Sequence, residues 1–189
     1  MPNIGINPQR TGLLTTLQEM GGNIEITNLR KIGGEEVADI QVSSSSLIGI
    51  DVPAERAPSM IDEYPILTIA AAMASGSTSM NNIGELRHKE ADRIAVMTKG
   101  LRMAGVMVDE TDTSMCVHGI GDKDGFSRIK GGFRISSEHD HRIAMSFLTL
   151  GLVSEKKIIV DGVSTIDTSF PGFVDTMNKH GARINKEKN

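Results

Sequence analysis

Three stretches of the chain share one hydropathy plan. In GLLTTLQEMGGNIEI (Gly12 to Ile26), Leu13, Leu17 and Met20 fall on one helical face, a glycine ends the run, and alternating apolar residues follow. RIAVMTKGLRMAGVMV (Arg93 to Val108) repeats the plan with Ile94, Met97 and Leu101 as the stripe and Gly105 as the stop. FPGFVDTMNKHGARI (Phe170 to Ile184) repeats it again, with Phe170, Phe173, Val174 and Met177 before Gly181. The spacing predicts three amphipathic helices, each closed by a glycine and followed by a strand. The stops Gly21, Gly105 and Gly181 lie 84 (105 − 21) and 76 (181 − 105) residues apart.

A second helix type alternates with the first. DEYPILTIAAAMASG (Asp62 to Gly76) and DHRIAMSFLTLGLVS (Asp140 to Ser154) are apolar nearly all round, which predicts helices buried on every side. Each opens with an acid in the N-cap neighbourhood, and the two acids are 78 (140 − 62) residues apart. The runs ADIQVSSSSLIGI, TSMCVHGI and KKIIVDG read as strands, and GIGDKDGFSRIKGG (Gly119 to Gly132) as turns and exposed loop. Each period thus holds a buried helix, an amphipathic helix and several short strands. Three such units, the first incomplete, predict an α+β fold packed about a pseudo-threefold axis with the buried helices inside. No low-complexity linker divides the chain, so a single domain over 1–189 is expected. A helix begins within a dozen residues of Met1, as in a fragment of something longer.

Composition narrows the function. Lys plus Arg is 20 and Asp plus Glu 24, for a formal net charge of −4, which excludes a general nucleic-acid binder but not a local basic pocket. The N-terminus lacks the apolar run of a signal peptide. The apolar runs PILTIAAAMA and IAMSFLTLGLV fall short of the ~20 residues a membrane span needs, so no membrane association is expected. Cys116, the single cysteine, excludes an internal disulfide and fits a reducing, cytoplasmic setting. Its place in the run MCV reads as a buried, inert thiol.

Charge gathers at the predicted helix starts. In LRHKEADRI (Leu86 to Ile94), Glu90 lies four residues before Ile94 and so is expected to extend the apolar stripe into the core. A carboxylate half-buried there holds its proton more tightly unless Lys89 or Arg93 offsets it. Lys89 and Arg93 share the first turn with it, where free N–H groups and the helix dipole favour an anion. In EHDHR (Glu138 to Arg142), Arg142 precedes the most apolar helix, where a cation is costly unless an anion meets it. His139, Asp140 and His141 offer metal-ligand types, but no further ligand spacing accompanies them, so no metal is expected. An Asp140 N-cap is the structural alternative, as it is for Asp62. With pseudo-threefold packing these helix starts converge. One face then holds Asp62, Lys89, Glu90, Arg93, His141 and Arg142, a set suited to proton transfer on a multiply anionic substrate.

DEYPILTIAAAMA, LRHKEADRI, DHRIAMSFLTLGLVS and TSFPGFVDTM, in this order, resemble the C-terminal half of the 5-enolpyruvylshikimate-3-phosphate synthase family. NPQRTGLLTTLQEMGGNIEI and APSMIDEYP resemble its class II, glyphosate-tolerant type. The resemblance implies a lobe of three βαβαββ-like units. It also implies transfer of the enolpyruvyl group of phosphoenolpyruvate to the 5-hydroxyl of shikimate 3-phosphate, with release of phosphate and without a cofactor. By the same resemblance Asp62 takes the hydroxyl proton and Glu90 protonates the methylene carbon. Lys89 reaches a phosphate, Arg93 and Arg142 hold phosphoenolpyruvate, and His141 lies beside them. Glyphosate becomes a possible inhibitor.

Two departures stand out. Thr168 replaces a lysine that many members carry before the S/T-F-P motif. The N-terminal lobe that completes the cleft has no counterpart in this sequence. The chain therefore reads as half an enzyme, inactive without that lobe. The fold-sharing transferase acting on UDP-N-acetylglucosamine lacks the K-E-x-D-R and D-H-R pair, and a non-catalytic stand-alone lobe is the alternative of another class.

Overall fold

The computed structural model describes residues 1–122 and 128–187, so the centre of the loop expected before Gly132 lies outside the described residues. The first unit holds β1 (Ile4–Gly5), α1 (Gly12–Glu19), β2 (Asn23–Ile32) and β3 (Glu35–Ser43). The second holds β4 (Asp51–Val52), α2 (Tyr64–Met73), β5 (Ser75–Met80), α3 (Arg93–Met103), β6 (Met107–Glu110) and β7 (Met115–Ile120). The third holds β8 (Ile129–Gly131), β9 (Arg134–Ser136), α4 (His141–Leu150), β10 (Ser154–Lys156), β11 (Ile159–Asp161), α5 (Ile166–Ser169) and α6 (Phe173–Lys179). The middle unit is a full β-α-β-α-β-β run. Among the described residues the first has no apolar helix before α1, and the third shows no closing hairpin.

The repeat is written in the backbone. Gly21, Gly105 and Gly181 adopt φ of +90°, +88° and +98°, the left-handed conformation that lets a helix end and the chain turn back. The sheets are β1-β3-β2, β4-β5-β7-β6 and the parallel pairs β8-β10 and β9-β11. In the four-stranded sheet Met80, Val108, Met115 and Val117 point inward onto α2 and α3. Cys116 therefore points outward beside Ser79, partly exposed rather than buried as its apolar neighbours implied. The buried helices meet at the centre: α2 packs on α4, and Gly100 of α3 lies against Phe147 of α4. A Cβ at Gly100 would stand 2.1 Å from that ring, so only glycine permits this crossing.

Four expectations are corrected. The stripe Leu13, Leu17 and Met20 packs on the core as expected, but Gly12 and Thr16 beside it are buried more deeply than the two leucines, because the small Gly12 lets the Ser59–Met60 turn approach. The last amphipathic helix begins only at Phe173, after Pro171 and Gly172, which leaves Phe170 outside it and exposed. Among the described residues no strand follows Gly181. The Asn178 side chain bonds both the N–H and the C=O of Ile184, each at 2.9 Å, and so replaces a strand partner. The expected loop at Gly119 to Gly132 also carries strand at both ends, in β7 and β8. Among the described residues no helix is long and apolar enough to cross a membrane.

Candidate active site

The starts of α2, α3 and α4 converge, and their charged side chains form one cluster. At its centre is Arg93, the first residue of α3 and only 2% exposed. Its Nε donates to Asp140 Oδ2 at 2.7 Å, one terminal nitrogen to Asp62 Oδ1 at 3.2 Å, and the other to Glu90 Oε2 at 2.8 Å. A buried guanidinium is tolerable only when its charge and N–H groups are met in this way.

Asp62 sits in the 3-10 turn Ile61–Glu63 that leads into α2, and no side chain caps that helix. The cap expected of Asp62 is therefore absent, and its carboxylate turns toward cations instead. Arg142 lies 3.5 Å from Asp62 Oδ2 and donates to the Asp62 carbonyl at 3.0 Å. Lys89 Nζ is 3.9 Å away and Arg10 reaches to 4.0 Å. Burial alone would raise the pKa of Asp62. Arg142, Arg93 and Lys89 outweigh that and hold its carboxyl below the usual carboxylate range.

Asp140 is the N-cap of α4, accepting from the N–H groups of Arg142 and Ile143 at 2.8 and 3.2 Å. Among the described residues no group of His, Cys, Asp and Glu has metal-binding geometry. Arg142 also donates to Glu63 at 3.1 Å. His141 opens α4 but takes no part in these bonds.

Glu90 departs from expectation. Asp92 caps α3 through the Ala95 N–H, so the helix begins at Arg93 and Glu90 lies in the preceding loop, off the apolar stripe. Its side chain is 52% exposed rather than directed into the core. The rest of LRHKEADRI is structural: Arg87 donates to Asp92, Glu110 and the Thr111 and Asp112 carbonyls.

The cluster thus contains five acids (Asp62, Glu63, Glu85, Glu90, Asp140) and four cations (Arg10, Lys89, Arg93, Arg142). Glu63, Glu85, Asp140 and Arg10 were not among the residues the sequence brought together. A cleft of about 220 Å³ opens beside it, lined by Asp62, Arg142, Ile66, Met145, Thr149 and Phe170. The cluster presents two partly exposed cations, Arg142 and Lys89, next to the carboxylate of Asp62, with Glu90 on the far side of Arg93.

The family profile described as EPSP synthase (3-phosphoshikimate 1-carboxyvinyltransferase) matches residues 1–177. A curated 3-phosphoshikimate 1-carboxyvinyltransferase from Paramagnetospirillum magneticum is 54% identical over 97% of this chain. The chain spans about 40% of the length of the curated relatives it matches. The solved EPSP synthase of Acinetobacter baumannii superposes with a TM-score of 0.94 at 41% identity, covering 100% of this chain and 42% of that one. The enolpyruvyl transferase NikO of Streptomyces tendae, at TM-score 0.66 and 19% identity over 93% of this chain and 36% of its own, shares the fold.

Proposed function

Because this chain belongs to the EPSP synthase family, we propose that it is the C-terminal part of a 3-phosphoshikimate 1-carboxyvinyltransferase and supplies one wall of that enzyme's active site. Joined to the complementary N-terminal lobe, it moves the enolpyruvyl group of phosphoenolpyruvate to the 5-hydroxyl of shikimate 3-phosphate. The observation that carries this reading is the convergence of Asp62, Glu90, Arg93 and Arg142 from three helix starts.

In this reading the 5-hydroxyl oxygen adds to C2 of phosphoenolpyruvate. Asp62 accepts the hydroxyl proton and Glu90 delivers one to the methylene carbon. The tetrahedral adduct then loses inorganic phosphate from C2 and a proton from the new methyl group, restoring the double bond. Arg142 and Lys89, each with about a quarter of the side chain exposed, are the cations an incoming anion reaches first. Three of the five Arg93 N–H groups are committed to Asp140, Asp62 and Glu90, which leaves one on each terminal nitrogen for a substrate carboxylate. His141 borders the same face, and glyphosate, an anionic competitor, would meet the same cations.

The isolated chain is inactive in this reading, because it spans about 40% of its relatives' length and supplies one wall of a cleft shared with the complementary lobe. A cytoplasmic location accords with the free Cys116. The test measures phosphate release from the two substrates by this chain alone and mixed with a separately made N-terminal lobe of a relative. Turnover only in the mixture, abolished by Glu90→Gln, supports the half-enzyme. A folded chain that stays silent in both tubes favours the non-catalytic lobe.

A further inference from the structure

Asp140 divides its carboxylate between two tasks. Oδ1 accepts the two N–H groups that begin α4, and Oδ2 accepts Arg93 Nε at 2.7 Å. Capping alone does not call for a charge, because Ser, Thr and Asn cap a helix as well as Asp does. Asp140 is nonetheless a carboxylate at 0% exposure, a position that penalises a charge unless a cation answers it. The cation is Arg93, itself buried, so the acidic side chain is explained by the guanidinium rather than by the cap.

The geometry gives that pairing a consequence. A guanidinium is planar, and its five N–H directions are fixed relative to one another. Pinning Nε therefore aims both terminal nitrogens, one at Asp62 and the other at Glu90. The anchor is rigid as well. Glu138 and His139, two consecutive non-glycine residues at φ +51° and +61°, deliver the chain to Asp140 in a conformation L-residues adopt at a cost. The Asp140 N–H is tied to the Ser137 carbonyl, and Ser137 Oγ to the Gly162 carbonyl.

We infer that Asp140 is a positioning residue: through Arg93 Nε it holds the guanidinium so that its free fork faces Asp62, Glu90 and any anion that displaces them. This rests on the transferase reading for its kinetic consequence but not for its structural one, and the two are measured separately.

The structural arm is exchange of the Arg93 side-chain Nε–H, followed by NMR in the native chain. Exchange much slower than that of the exposed Arg134 is expected, and equal rates would overturn the proposal. Asp140→Asn keeps a capping acceptor and removes the charge. It should retain a cooperative fold while Arg93 Nε–H exchange accelerates about tenfold or more. Unchanged exchange in a folded variant reduces Asp140 to a cap.

The kinetic arm uses the two-part enzyme. There Asp140→Asn should raise KM for phosphoenolpyruvate about tenfold and leave KM for shikimate 3-phosphate nearly unchanged. Equal losses for both substrates would sink the positioning role. If Asp140→Asn does not fold, Arg93→Lys, which keeps the buried ion pair but lacks the fork, should show the same split. A native mixture without turnover defeats the transferase reading and leaves the exchange result to decide the proposal.

Discussion

The middle unit and the first unit are built from the same parts and differ in how they are covered. In the middle unit the sheet lies under two helices, α2 and α3, and its inward residues are sealed from water. In the first unit the only α-helix is α1, which is shared between β2 and the turn over Ala54–Ser59. Ile26, Leu29, Ile32 and Val42 of that hairpin remain 43%, 67%, 51% and 57% exposed. The ladders are equally regular apart from the bulge between Thr27 and Arg30. Hydrogen bonding therefore does not separate the two regions. What separates them is an apolar helix against the inner face, and burial of that kind supplies most of the stabilising free energy.

Four outcomes would break or sharpen this contrast. Phe147→Ala empties a fully buried site where α4 meets α3 and should cost about 3–5 kcal/mol in urea unfolding. Val42→Ala in the first unit should stay within about 0.5 kcal/mol, and comparable losses for the two would dissolve the distinction. Gly100→Ala forces a Cβ into the Phe147 ring and should cost about 1–3 kcal/mol by the same measurement. An effect near zero would mean the helix crossing is looser than described.

The third outcome concerns pH. The cations around Asp62 hold its folded pKa below the unfolded value of about 3.9. Its contribution is therefore complete above that value and is lost as pH falls through the folded one. Asp62→Asn should flatten the acid limb of the stability profile, and an unchanged limb would count against the cation cage. The smallest effect is at Tyr64, whose hydroxyl is buried without a partner and whose pKa burial pushes up to about 12. It is the only tyrosine and there is no tryptophan, so absorbance near 295 nm reports it cleanly. Ionisation should be delayed beyond pH 10, with stability complete below the unfolded value and lost between about pH 10 and 12. Tyr64→Phe should change stability by no more than about 1 kcal/mol, toward the favourable side.

Much of this was legible in the sequence, for a physical reason in each case. The stop glycines showed because only a left-handed turn ends the helices in that way, and α2 and α4 showed because a helix apolar all round has nowhere to go but inside. The convergence of Asp62, Glu90, Arg93 and Arg142 followed from the repeat. Glu90 was misplaced because stripe counting ran past Asp92, although an aspartate just before Arg93-Ile94 is itself a start signal. The double use of Asp140 could not be read, since its second partner is 47 residues away. The missing strand after Gly181 was equally hidden, because the Asn178 amide replaces it with side-chain bonds that no hydropathy pattern records.

The ring of cations around Asp62 has one more consequence. A carboxylate gripped by Arg142, Arg93 and Lys89 is a weaker proton acceptor than a free one. An anion that settled on Arg142 or Lys89 would loosen the grip and raise the basicity of Asp62. Under the proposed transferase function, occupancy would then act as an interlock, bringing the carboxylate into play once the second reactant is seated.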